Sequence, residues 1–146
     1  GSTSGSPCVV SATKPLPAGT AGDTYRAAFD RVIAPAVQRF APTWILVSAG
    51  FDAHRADPIT DLGLSASDYG DLLGRITGLV PPGRRIVFLE GGYDLGALEA
   101  CAFATVRTLG DTSPTSELTH AGEAVTTGTR GLDVVETVAR HHGLGG

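Results

Sequence analysis

Two short stretches hold most of the groups able to do chemistry. The first is Ser48–Pro58, SAGFDAHRADP, and the second is Leu89–Asp94, LEGGYD. Each follows an apolar run, Trp44-Ile45-Leu46-Val47 in one case and Ile86-Val87-Phe88-Leu89 in the other. An aspartate that emerges where a strand ends, here Asp52, is a hard anionic oxygen ligand for a metal ion. A Gly-Gly pair, Gly91-Gly92, lets the backbone approach a ligand closely, and the phenol of the tyrosine that follows, Tyr93, can swing over that ligand. Bland readings stand beside these. An aspartate after a strand is usually a turn former or a cap, and a tyrosine after two glycines is commonly a packed turn residue. His54 and Arg55 read as rim residues of the loop, and Asp57 as a brace for the turn at Pro58. Glu90 reads as a buried residue hydrogen-bonded to backbone at the strand end.

The elements that must position these stretches follow from period and punctuation. Tyr25, Phe29, Val32, Ile33, Ala36, Val37 and Phe40 share one face of a helix, with Asp23 as its N-cap and a kink expected at Pro35. Trp44–Val47 is a continuous apolar run of the kind covered on both faces in parallel sheets. Ser65 and Asp68 form a pair like a capping box, ahead of a second amphipathic helix through Tyr69, Leu72, Leu73, Ile76, Leu79 and Val80. Pro81-Pro82-Gly83 ends it, Arg85–Leu89 is a second buried-type strand, and Leu95–Leu109 is a third helix. A polar connection over Gly110–Gly131 leads to a short last helix, Leu132–His142. At the other end, Cys8–Val10 could form a strand, and Lys14–Gly19 is an extended loop because its prolines disfavour helix. Alternating helices and strands imply a parallel sheet with right-handed crossovers. Ligands of such sheets bind beyond the carboxyl ends of the strands, where both chemical stretches fall.

Composition narrows the function further. The chain has 146 residues, 42% of them hydrophobic, and a net charge of −4, which suits one globular domain at roughly 100 to 200 residues per domain. Eleven Lys and Arg against fifteen Asp and Glu, with no run of like charge, provide no basic stripe for nucleic acid or anionic lipid. Cys8 and Cys101 lack CxxC spacing and sit among small apolar residues, as buried free thiols of a reducing compartment do. No apolar run approaches the roughly 18 residues that span a bilayer, and the N-terminus has no signal-peptide pattern. A cytoplasmic location is the expectation. Residues 1–7, GSTSGSP, read as a flexible lead or linker outside the fold.

SAGFDAHRADP followed by LEGGYDL resembles the C-terminal half of the zinc-dependent histone deacetylase family, in its class II-like bacterial branch with the acetylpolyamine amidohydrolases and acetoin-utilisation proteins. PLPAGTAGD and the helix to Phe40 are similar to the same region, so that the resemblance covers roughly Val9 to Gly110. It implies an α/β fold of the arginase-deacetylase type, a three-layer fold with a parallel sheet, of which residues 8–146 would be a C-terminal portion. The implied activity is hydrolysis of an acetamide on lysine or a polyamine. Asp52 falls on a metal-binding aspartate, Tyr93 on the tyrosine that donates a hydrogen bond to the carbonyl oxygen, and Gly91 and Gly92 on glycines lining the substrate channel. The implied cofactor is zinc, which polarises the amide carbonyl and lowers the pKa of bound water to about 7. A phenol aimed at the developing oxyanion contributes roughly 3 to 4 kcal/mol.

The family's Asp-x-His metal motif and its catalytic histidine pair lie upstream of the region that is similar here. His141-His142 comes after Tyr93, in the wrong order for that pair, and reads as a solvated tail. A catalytic zinc takes three protein ligands, of which the resemblance gives Asp52 as one. The chain is therefore expected to be a fragment of a deacetylase acting on acetyl-lysine or acetylpolyamine. The alternative is a catalytically inactive deacetylase-like module that acts in protein association. A doubly wound nucleotide-binding domain is weaker, since GxGxxG and a Walker lysine are missing. A sheet cut from its neighbouring layers would expose a strand edge and apolar faces, so a homo-oligomer is expected.

Overall fold

A computed structural model describes residues 16–110 and 131–144. The chain runs through helix α1 (Gly22–Ala28), a π-helical turn (Phe29–Ile33), helix α2 (Ala34–Phe40), strand β1 (Ile45–Ala49), helix α3 (Ala66–Thr77), strand β2 (Arg85–Leu89), helix α4 (Leu95–Gly110) and helix α5 (Leu132–His141). The two strands pair in parallel, from Ile45 opposite Arg85 to Ala49 opposite Leu89. The expected parallel α/β order is thus present. The segments read as a lead, as a strand at Cys8–Val10 and as a connection over 111–130 lie outside the described residues.

The first helix departs from its expected form at both ends of its register. Ala21, not Asp23, occupies the N-cap position and contributes no side-chain bond, while Asp23 sits in the first turn. There its Oδ1 accepts from the Thr24 amide at 2.8 Å, and its charge favours the positive end of the helix. Bare glycine and alanine at this end have a packing reason. A Cβ on Gly22 would collide with the Asp68 carboxylate, so the start of α1 lies directly on the cap of α3. The disturbance expected at Pro35 takes the form of the π-helical turn, whose wider loop bridges Ala34 N to Phe29 O. Proline then enters near the start of α2, where its missing N–H has no helical partner to lose.

The capping box of α3 forms as the sequence predicts. Asp68 N donates to Ser65 Oγ, while Asp68 Oδ2 accepts from Ser65 N at 2.8 Å and Ser65 Oγ at 2.7 Å. The other carboxylate oxygen accepts from Arg26 Nη1 at 2.7 Å, which ties α1 to the same cap. α5 closes over the first helix through Val135 and Ala139 against Val32. α3 and α4 pack along each other, with Leu73, Ala97 and Cys101 buried.

Coverage of the strands differs from the expectation. Ile45, Val47 and Ala49 are half-buried, whereas Leu46, Ile86 and Phe88, on the opposite face, are exposed. A continuous apolar strand needs a layer on each side, and the described residues leave one side of this pair uncovered. Among the described residues, no helix is long and apolar enough to cross a membrane.

Candidate active site

Both chemical stretches emerge at the carboxyl end of the strand pair, and the backbone keeps them side by side beyond it. Glu90 N donates to Ala49 O at 3.0 Å and Phe51 N to Gly91 O at 2.8 Å, so the ladder continues past the last paired residues. Asp52 therefore leaves its strand next to Gly91. A Cβ built on Gly91 would lie 3.5 Å from Asp52 Cγ, and one on Gly50 would lie 3.0 Å from Asp52 Oδ1. The carboxylate thus rests against bare backbone on both sides. Thr60 Oγ1 donates to the Asp52 carbonyl at 2.7 Å and holds its main chain from the far side of the loop.

Beneath Asp52 lies a partly buried set of phenols. Phe51 is 4% exposed and meets the Tyr69 ring edge-on at 5.1 Å between centroids. Burial, with the charge of Asp52 adding to it, raises the Tyr25 phenol above its usual range. Burial also raises the Tyr69 phenol, reinforced by Cys101, Tyr25 and Asp52. Among the described residues the buried Tyr69 hydroxyl has no hydrogen-bond partner; the nearby Ala53 amide favours its ionised form but makes no bond of acceptable geometry. Both phenols stay protonated around neutrality. Neither tyrosine was singled out by sequence reasoning for a role here, because each reads as one more apolar position on a helix face.

The second stretch turns sharply at Gly92, whose φ of +129° is closed to most L side chains. A Cβ there would meet Phe51 Cβ at 3.1 Å and Leu98 Cδ1 at 3.3 Å. The two glycines therefore differ. Gly92 is required by backbone and packing, whereas a Cβ at Gly91 would make only ordinary contact with the neighbouring carboxylate. Tyr93 follows, 61% exposed, and Asp94 caps α4 by accepting from Ala97 N at 2.7 Å.

Asp57 does more than brace the turn at Pro58. Its Oδ1 accepts from Ile59 N at 3.0 Å within that turn, while Oδ2 accepts from Tyr93 N at 2.6 Å and Asp94 N at 3.2 Å. Burial opposes its charge, but these three amides and His54 outweigh burial and hold the carboxyl below its usual value. The Asp-Pro pair signalled a turn; nothing local signalled partners in the other stretch. Glu90 is exposed, not buried as its strand-end position suggested, because none of the described residues covers the adjoining face of the sheet. His54 lies at the rim as expected, with Nδ1 accepting from Ala56 N at 3.2 Å. Arg55 is exposed beside it. His141 and His142 stack edge-on at the end of α5.

The metal test is one of donor count. Asp52 offers an oxygen donor, and His54, two residues on, turns its Nδ1 to the Ala56 amide. Among the described residues, no three His, Cys, Asp or Glu side chains group to hold a metal ion. The described residues therefore do not make a zinc site, and no step is assigned to the metal.

Comparison with known proteins places this geometry. The family pattern described as the histone deacetylase domain matches residues 3–109. The chain belongs to the histone deacetylase family. It is 46% identical over 96 residues to "Histone deacetylase 10, chloroplastic" of Oryza sativa subsp. japonica, covering 64% of this chain and 22% of that relative. It is 32% identical over 98 residues to the "Histone deacetylase-like amidohydrolase" of Pseudomonas aeruginosa, covering 65% of this chain and 26% of the relative. The solved structure of the HDA15 HD domain superposes with a TM-score of 0.67 at 31% identity, over 84% of this chain and 31% of that one. That of the histone deacetylase Clr3 superposes with a TM-score of 0.70 at 29% identity, over 84% and 20%. The fold is accordingly the α/β arginase-deacetylase fold in part, and the chain spans about a quarter of the length of the curated relatives it matches.

Proposed function

We propose that this chain carries one side of a deacetylase active site and, joined to the remainder of a family domain, hydrolyses the acetamide of acetyl-lysine or an acetylpolyamine. The observation that carries the reading is the juxtaposition at one strand end of the Asp52 carboxylate, bare Gly91 backbone and the loop bearing Tyr93. In this reading Asp52 is an oxygen donor to the zinc ion, which when bound supplies polarisation of the amide. Gly91 and Gly92 leave room for an extended acylated side chain. Tyr93 donates its phenolic hydrogen to the oxygen on which negative charge gathers as the amide is attacked. The phenol stabilises the transition state more than the ground state because that charge is absent from the substrate. A free, buried Cys101 supports a reducing, cytoplasmic setting.

Joining the chain to a segment of a related deacetylase that carries the Asp-x-His and His-His motifs, and measuring acetate released from an acetyl-lysine peptide and from an acetylpolyamine, tests the proposal. Turnover that is lost together with bound zinc in Asp52→Ala is the expected result. A zinc-loaded assembly that releases no acetate from either would refute it. The second reading, an inactive module acting in protein association, draws on the exposed Leu46, Ile86, Phe88, Phe103 and Val106, and such an assembly would favour it.

A further inference from the structure

We propose that Asp57 is a positioning residue of the site: carried by the first stretch, its carboxylate fixes the backbone of Tyr93 in the second and so sets where the phenol lies relative to Asp52. The inference rests on the role given to Tyr93 above. Continuation of the β-ladder holds the second stretch as far as Gly91, through Glu90 N to Ala49 O and Phe51 N to Gly91 O. At Gly92 the chain turns with φ of +129°, and from Asp94 onward the cap of α4 holds it. Tyr93 lies between these anchors. Tyr93 is 61% exposed, so among the described residues its placement is inherited chiefly from its backbone. That backbone is pinned at its amide by Asp57 Oδ2, at 2.6 Å, with the Asp94 amide on the same oxygen at 3.2 Å.

The other end of the clamp is equally fixed. Asp57 is 6% exposed, and Oδ1 is held by Ile59 N, so the carboxylate cannot turn without breaking a bond inside its own loop. Every partner is an N–H donor, which suits a carboxylate with acceptor sites on both oxygens. An asparagine of the same shape must present its NH₂ either to Ile59 N or to the Tyr93 and Asp94 amides, and one side of the clamp is then lost. Asp57 touches neither substrate nor reacting atoms in this account; it acts through Tyr93.

Two measurements on Asp57→Asn decide the matter, with Val135→Ala, which leaves a cavity where α5 packs on Val32, as the stability control. In the chain itself, amide hydrogen exchange at Tyr93 and Asp94 should speed by about 10-fold or more while amides within α3 keep their rates, as a local opening does. In the joined enzyme kcat should fall by about 10²-fold, the scale of a catalytic group misplaced by about 1 Å, with KM within about twofold, whereas Val135→Ala should leave kcat unchanged. Equal kcat losses in both variants would reduce Asp57 to a stability role and overturn the proposal. So would unprotected Tyr93 and Asp94 amides in the unaltered chain, a result that stands even if Asp57→Asn does not fold. If the joined unaltered enzyme releases no acetate, the deacetylase reading fails, and exchange at Tyr93 still decides whether Asp57 holds it.

Discussion

Adjacent glycines of the second stretch should respond in opposite ways to the same added methyl group. At Gly92 alanine must adopt φ of +129°, a conformation that costs on the order of 1 to 3 kcal/mol for a residue with a Cβ. The methyl also meets Phe51 Cβ at 3.1 Å and Leu98 Cδ1 at 3.3 Å. Phe51 is buried under the Asp52 loop and cannot retreat freely, so crowding adds about 1 kcal/mol or more. A loss of about 3 kcal/mol follows. For a chain of 146 residues the unfolding entropy is about 0.3 kcal/mol per degree, so Tm should drop by about 10 °C. At Gly91 the nearest atom to an added Cβ is Asp52 Cγ at 3.5 Å, an ordinary contact, and the backbone is outside the left-handed region. Gly91→Ala should change Tm by less than about 3 °C, and can raise it by restricting the unfolded chain. Thermal unfolding followed by circular dichroism measures both. Comparable losses at the two positions, or a neutral Gly92→Ala, would refute the assignment of backbone strain to Gly92 and of free space to Gly91.

Three further outcomes follow from particular groups. Asp57 has its folded pKa held below the usual 3.8, so the stability it adds is present above that value and is lost as pH falls through the depressed one; Asp57→Asn should flatten the acid limb of a Tm-against-pH curve below about pH 4, and an unchanged limb would contradict this. Burial pushes the Cys101 thiol up to about 12, so at pH 8 it should react with a disulfide reagent only on unfolding, and rapid labelling of the folded chain at Cys101 would show that its helix packing is wrong. Exposed Leu46, Ile86, Phe88 and Phe103 should drive self-association at micromolar concentration; a clean monomer by light scattering that binds no apolar dye would count against it.

What could be read in the sequence was local. Arg85–Leu89 matches its strand residue for residue, and the Ser65/Asp68 cap forms because both partners lie within one helical turn. Alternation of periods was enough for the parallel α/β order, and the two chemical stretches sufficed for the family. What the sequence hid was non-local. Asp57 finds the Tyr93 amide 36 residues away, and Asp-Pro carries no trace of it. Ala21 replaced Asp23 as the cap because the start of α1 must fit against Asp68, a tertiary demand that outweighs a capping preference. Pro35 announced a break in the helix but not its form, since a kink and a π-helical turn both spare the missing N–H. Glu90 was misjudged because burial at a strand end depends on layers that the described residues do not contain. Tyr25 and Tyr69 kept their relation to Asp52 concealed behind ordinary helical periodicity.

Steady-state kinetics of Tyr93→Phe in the joined, zinc-loaded enzyme tests the central claim most directly, because phenylalanine keeps the ring and deletes only the hydroxyl. The account predicts that zinc content and KM stay near those of the unaltered enzyme while kcat falls by roughly 10² to 10³, the loss expected when one donor to a developing oxyanion is removed. Full kcat in Tyr93→Phe would contradict it, and would mean that the second stretch shapes the site without taking part in the reaction.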